Sequence, residues 1–227
     1  MRASIAKTAA ALESGDIRTY IRRVMWLDLE ERVRQAFDSF SSDRESLAVL
    51  GNVYLMCGYE QDPLLTSSTT RVQLINSIHI FTGQRPLGIR VRDEKTGNLV
   101  WATEANSQLW YSQGPSGSVA VFLAPYTSKV NKVHEDEIMI GHYAQPVDIS
   151  ACEIDSHLRL FLRYCVATSA HTGLTTRHYL FRRMLQLRDF RTRSEIYRLV
   201  MPTIEKVLVL VLAAAGVWAT LYTGNKL

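Results

Sequence analysis

Val207 through Tyr222, VLVLVLAAAGVWATLY, is a run without a charged side chain. Sixteen residues fall short of the ~20 that usually span a bilayer, but Thr223 and Gly224 extend the run to about 18, inside the working range. At ~1.5 Å per residue this covers most of a ~30 Å hydrocarbon layer. Trp218 and Tyr222 stand at the far end, where amphipathic rings favour the headgroup level. Such a run has two fates, a buried core helix or a membrane span, and its flanks decide between them. Glu205 and Lys206 close it on one side, and Arg177, Arg182, Arg183, Arg188, Arg191, Arg193 and Arg198 lie before them, against only Asp189 and Glu195 over residues 177–198. Basic residues collect on the cytoplasmic side of a span. The expected organisation is therefore a cytosolic domain over residues 1–176, a basic juxtamembrane helical region over 177–206 and a transmembrane helix over 207–224. The arginines and Lys206 are expected at the membrane surface.

Charge is distributed to match. The chain carries a formal +4, yet residues 1–176 hold 17 Lys and Arg against 19 Asp and Glu, and residues 177–198 hold seven against two. The basic character belongs to the approach to the membrane, which excludes a specific nucleic-acid-binding domain from the expectation. Cys57, Cys152 and Cys165 are odd in number and sit in apolar, helix-like contexts, as thiols in a reducing compartment do. No apolar core of signal-peptide length precedes Glu13.

Residues 1–60 read as helical. Ile5, Ala9 and Leu12 share a face, Ser14-Gly15-Asp16 is expected to break it, and Asp16 to cap a second helix with Ile17, Tyr20, Ile21, Val24 and Leu27 at spacings of three and four. Ser42 and Glu45 form a capping box, opening a helix with Leu47, Leu50, Val53, Tyr54 and Cys57 that stops at Gly58. Between Arg71 and Tyr143 the pattern changes to short β-type runs: 72–81, 87–92, 99–103, 108–111, 118–123 and 138–140, with DEKTGN at 93–98 as a hairpin loop. Neighbouring strands with short links argue an antiparallel meander. Pro146 and Asp148 then open a helix with Ile154, Leu158, Phe161, Leu162, Cys165 and Val166 on one face. Another helix follows over 177–188, and the box Thr192 to Glu195 starts a last one. The expected fold class is α+β: N-terminal helices, an antiparallel β-meander, further helices and one C-terminal transmembrane helix.

Motifs for catalysis fail on spacing. In HEDEIMIGH the second histidine follows His134 by eight residues along a strand-like segment, where a zinc-protease helix needs four. Glu135-Asp136-Glu137 reads as a solvated acidic turn, and His157, His171 and His178 as structural or exposed. Ser116 in GPSGS lacks the glycine placement of a nucleophile elbow and reads as a hairpin turn. Cys57 and Cys165 have no basic neighbour in sequence to lower a thiol pKa. No enzyme, metal site or cofactor is expected. A binding surface is: Arg90 and Arg92 alternate on one strand near Trp101, Trp110 and Tyr111, a combination suited to a nucleotide or phosphorylated small ligand through stacking and charge. The competing assignment is a solvated strand face over an aromatic core.

Within the apolar run Ala215 and Ala219 lie four apart, as do Gly216 and Thr220, which places small residues on one helical side and predicts a helix–helix contact between copies. The layout of one cytosolic domain with one membrane helix resembles small membrane effectors of bacterial nucleotide-signalled antiviral systems. That resemblance, of architecture alone, implies a ligand-binding homo-oligomer that perturbs or gates the bilayer from the cytoplasmic face. The alternative expectation is a non-enzymatic membrane adaptor or structural subunit.

Overall fold

The computed structural model describes residues 2–57, 76–92, 97–128, 135–172, 175–189 and 191. The chain divides into two compact units, 1–185 and 186–227; the fold below is that of the first. Its architecture is α+β, with an N-terminal helix, an antiparallel meander and then further helices.

Helix α1 runs unbroken from Arg2 to Phe40. The interruption expected at Ser14-Gly15-Asp16 does not occur. A glycine inside a helix costs only ~1 kcal/mol, and the surrounding Ala-rich and Leu/Glu/Arg-rich turns outweigh it. Trp26, Leu29 and Val33 are buried at spacings of three and four, with Ala36, Phe37 and Phe40 packed beside them. Helix α2 is short, Arg44–Ala48, and Asp43 caps it by accepting a hydrogen bond from the Ser46 N–H at 3.2 Å. The Ser42–Glu45 box is not the cap, because the Ser42 hydroxyl donates to Ser39 O instead. Nor does α2 continue to Cys57. Gly51 and Asn52 take left-handed φ values of 91° and 62° and reverse the chain, and Val53–Cys57 becomes strand β1.

Five strands form the main sheet: β1, β2 (Ser77–Thr82), β5 (Gln108–Gln113), β6 (Val119–Ala124) and β8 (Ile138–Tyr143), all antiparallel and in that order. A smaller sheet holds β3 (Arg85–Arg92), β4 (Leu99–Ala105) and the two-residue β7 (Thr127–Ser128). β2 leads into β3 through Gly83-Gln84, and β4 into β5 through Asn106-Ser107. Pairing persists across this bend, since the Thr82 N–H donates to Ser107 O at 2.9 Å and the Asn106 N–H to Thr82 O at 3.2 Å. The two sheets are thus successive stretches of one long ribbon, and the β3–β4 end of it is an arm.

Period-two alternation sorts the main sheet into two faces. Ile78, Ile80, Leu109, Tyr111, Val119, Val121, Leu123 and Ile138 are buried under the helices. The opposite face bears a half-buried ladder in which His79 stacks on Trp110 (centroids 6.3 Å apart) and Trp110 on Phe122 (5.1 Å). Cross-strand register sets that ladder, because His79 pairs with Trp110 and Trp110 with Phe122. After a 3-10 turn at Pro146–Asp148, Ser150 and Glu153 form a reciprocal capping box and helix α3 runs from Ala151 to Thr168. The cap lies two residues past the expected Asp148. Ile154, Leu158, Phe161 and Cys165 close the core, while Val166 points to solvent. Helix α4, Thr176–Arg188, adds Phe181 and Leu185.

Polar contacts between distant segments position α1. Arg22 donates to Ser116 O at 3.2 Å in the β5–β6 turn, and the Gln113 side-chain amide donates to Arg22 O at 3.0 Å. Gly117 sits in that turn at φ 78°, and a Cβ there would fall 2.5 Å from the Arg22 Cβ, so glycine is required twice over. Arg32 donates to the carbonyls of Pro146 and Ile149, tying α1 to the start of α3.

Candidate functional site

Beneath the sheet lies a buried polar chain that no local motif announces. His157, on the inner face of α3, has Nδ1 3.2 Å from the Tyr111 hydroxyl and Nε2 3.2 Å from the Tyr143 hydroxyl. A neutral imidazole donates from one ring nitrogen and accepts at the other, so the two tyrosines satisfy it without charge. Burial holds its pKa down at about 4, against the opposing pull of Glu153. Burial likewise raises both tyrosines, with Tyr143 contributing at Tyr111 and Glu153 at Tyr143. The network is a set of neutral hydrogen bonds that fixes α3 on strands β5 and β8. One signal in the sequence bears on it: Glu153, in the capping box, stands one helical turn before His157.

A second buried group anchors the arm. Glu104 on β4 is fully buried and accepts from Arg85 Nη1 at 2.7 Å, Ser169 Oγ at 2.8 Å and the Ala170 N–H at 2.8 Å. These contacts pin the base of the ribbon to the C-terminal end of α3. A third concerns Cys57, which has a basic neighbour after all: Arg34 Nη2 lies 3.1 Å from its sulfur and 3.1 Å from Glu30. The contact bridges α1 and β1, a proximity that sequence adjacency does not reveal. Burial pushes the Cys165 thiol up to about 12.

The five residues expected to bind a ligand do not share one surface. Arg90 and Trp101 are cross-strand partners, with the guanidinium carbon 4.6 Å from the ring centroid and Trp101 58% exposed. Arg92 donates to Gly97 O in the hairpin loop at 3.1 Å. Trp110 belongs to the stacked ladder of the main sheet, and Tyr111 to the core, where it holds His157. The arm therefore keeps Arg90, Arg92 and Trp101 together, with Ile89 and Leu99 also exposed. Trp110 and Tyr111 are elsewhere, on opposite faces of β5.

The arginines of α4 divide as well. Arg182 turns inward and pairs with Glu135 at 2.8 Å, both side chains largely covered. Glu135 is thus part of a covered ion pair, while Asp136 and Glu137 alone keep the solvated character expected of all three. Among the described residues Glu135 Oε2, Arg182 Nε and the Tyr164 hydroxyl, all buried, find no hydrogen-bond partner. Arg191 binds the buried carboxylate of Asp189 at 2.9 Å. Arg177, Arg183 and Arg188 are exposed, Arg183 reaching the Tyr179 hydroxyl at 3.1 Å. Between them Leu180, Met184 and Leu187 make an apolar stripe at 61, 48 and 57% exposure. At ~100° per residue this stripe points away from Phe181 and Leu185. Arg193, Arg198, Lys206 and the expected contact residues Ala215, Gly216, Ala219 and Thr220 lie outside the described residues, as does the whole expected span 207–224. Among the described residues no helix is long and apolar enough to cross a membrane, and no group of three His, Cys, Asp or Glu side chains could hold a metal ion.

No protein family matches the chain, and none of the curated proteins or solved structures compared with it does.

Proposed function

We propose that this chain is a tail-anchored membrane protein, its first 176 residues cytoplasmic, that oligomerises and perturbs or gates the bilayer in response to a ligand. One observation carries the membrane part: the exposed stripe Leu180, Met184 and Leu187, rimmed by Arg177, Arg183 and Arg188, on the helix that leads toward the apolar run. An apolar strip bordered by arginines suits a helix lying in the headgroup region. Three exposed arginines near an anionic leaflet contribute about 3 kcal/mol at ~1 kcal/mol each, and salt screens the attraction. The ligand part rests on Arg90 stacked over Trp101, a cation and a ring open to a nucleotide or phosphorylated small molecule. Membership of a nucleotide-signalled antiviral system is the architectural analogy, and the proposed action is non-enzymatic.

A second reading, the adaptor, draws on the same arm. Ile89, Leu99 and Trp101 are large apolar side chains standing in solvent on a hairpin, an arrangement that also suits a protein partner.

Carbonate extraction of membranes carrying the full chain tests the anchor, with retention expected. Release of the full chain into the soluble fraction would sink it. Binding to anionic vesicles tests α4: Leu180→Glu with Leu187→Glu should weaken it at low salt. Induced expression in cells separates effector from adaptor. Ligand-dependent depolarisation belongs to the effector, and unchanged potential with a captured partner to the adaptor.

A further inference from the structure

Helix α1 carries two apolar stripes on opposite sides. Trp26, Leu29 and Val33 face the core. Ile17, Tyr20, Ile21, Val24 and Leu27 face solvent, 57, 61, 46, 51 and 60% exposed. At ~100° per residue the mean direction of the second stripe is roughly opposite that of the first. Ile17, Tyr20, Val24 and Leu27 follow the three-four spacing of a seam that accepts another helix. Five such side chains leave on the order of 500 Å² of apolar surface bare, near the largest patch an ordinary monomer shows.

The half of α1 that precedes the core has little to hold it. Every residue from Ser4 to Ser14 is exposed, and the 20 residues before Arg22 extend ~30 Å at 1.5 Å each. Isolated helices of that length are marginal in water. Charge makes it worse. Arg2, Lys7, Arg18, Arg22 and Arg23 stand in the first half against Glu13 and Asp16, whereas Asp28, Glu30, Glu31 and Asp38 stand in the second against Arg32 and Arg34. Basic N-terminal and acidic C-terminal halves oppose the helix dipole.

We infer that two copies of the chain pair antiparallel through the outer face of α1. An antiparallel copy lays the exposed Asp28, Glu31 and Asp38 of its second half along the basic half of its partner and covers both seams. Parallel pairing would set like halves side by side. Because the seam faces away from the core, the two folded bodies lie on the outer sides of the pair and do not collide. Two stripes with their flanking residues reach the ~1,200 Å² at the low end of stable interfaces. A membrane surface suits the seam less well, since Asp28 and Glu31 border Leu27 and would meet an anionic leaflet. The pairing does not depend on the C-terminal run entering a bilayer.

Light scattering on the full chain in detergent reads the state directly, with a dimer expected. The double variant Ile17→Asp with Val24→Asp should shift it to monomer while the thermal transition of the core stays within a few degrees. Orientation is read by disulfide formation in a Cys152→Ser background. Copies carrying Ile17→Cys mixed with copies carrying Leu27→Cys should give the mixed crosslink in several-fold excess over the 17–17 crosslink, which also reports pairing if the aspartate variant fails to fold. A monomeric full chain, a dimer indifferent to the two aspartates, or a dominant 17–17 crosslink overturns the inference. Oligomers lost with Gly216→Leu but not with the aspartates overturn it too, and leave the membrane reading standing. Weaker vesicle binding of the aspartate variant with unchanged oligomers would assign the seam to lipid instead.

Discussion

Replacing His157 with Gln should remove the histidine's share of the acid sensitivity of the fold. In the native state the imidazole is buried between Tyr111 and Tyr143 and titrates at about 4, against 6.5 for an ordinary histidine. Between these values the unfolded chain takes up a proton that the folded chain refuses. Stability from this group is therefore complete above pH 6.5, falls as pH drops through the window, and is gone below about 4. The drop from 6.5 to about 4, at ~1.36 kcal/mol for each tenfold change in proton affinity, amounts to about 3 kcal/mol. That is a large share of the ~5–15 kcal/mol that holds a domain folded. Glutamine does not titrate and keeps a donor and an acceptor for the two hydroxyls. Urea unfolding of the wild type and His157→Gln, followed by tryptophan fluorescence at pH 7 and pH 4, gives the double difference, in which carboxylates common to both proteins cancel. The wild type should lose about 3 kcal/mol more than the variant. Equal losses would refute the reasoning, because they would mean that the imidazole binds its proton alike in folded and unfolded chains.

Glu104→Ala leaves Arg85 beside an empty buried position and strips the acceptor from Ser169 and Ala170, and breaking such a pair costs ~3–5 kcal/mol. Urea midpoints check it, and a loss under about 1 kcal/mol would mean that the arm is not anchored there. Gly117→Ala and Gly88→Ala both place a side chain at left-handed φ, but only the first meets backbone-anchored atoms, the Arg22 Cβ. The strain common to both is ~1–2 kcal/mol, and overpacking should add ~1–3 kcal/mol at Gly117 alone. Equal melting temperatures would remove the close approach of the β5–β6 turn to α1.

Where periodicity and composition agreed, the sequence was readable. Strands β2, β5 and β6 alternate cleanly, and each expected run overlaps a strand of the main or the smaller sheet, apart from residues 72–75, which lie outside the described part. Val53–Cys57 was not readable, because Leu47, Leu50, Val53, Tyr54 and Cys57 fit a helical period as well as a strand. The decision came from left-handed Gly51 and Asn52 and from pairing with β2, which lies twenty residues on. Gly15 illustrates the converse, a breaker too weak to break. The polar sites were hidden for a different reason. His157 meets Tyr111 from 46 residues away, Glu104 meets Ser169 from 65, and Arg34 meets Cys57 from 23. By charge alone Arg182 is one more surface cation, and only its pairing with Glu135, 47 residues away, draws it inward.

The tie between α1 and the start of α3 has a consequence for synthesis. Arg32 is bonded to the carbonyls of Pro146 and Ile149, so α1 leaves the ribosome long before the segment that receives it exists. The interval from Phe40 to Thr168 is about 130 residues, or roughly 6–25 s at ~5–20 residues per second. Over that interval the β-meander, whose pairs are mostly local, can assemble with one face uncovered, while Trp26, Leu29 and Val33 wait without their final partners. The nascent chain therefore offers two complementary apolar surfaces to whatever binds emerging polypeptides. Closure of the domain waits for α3 and then α4, which follow the meander in the chain.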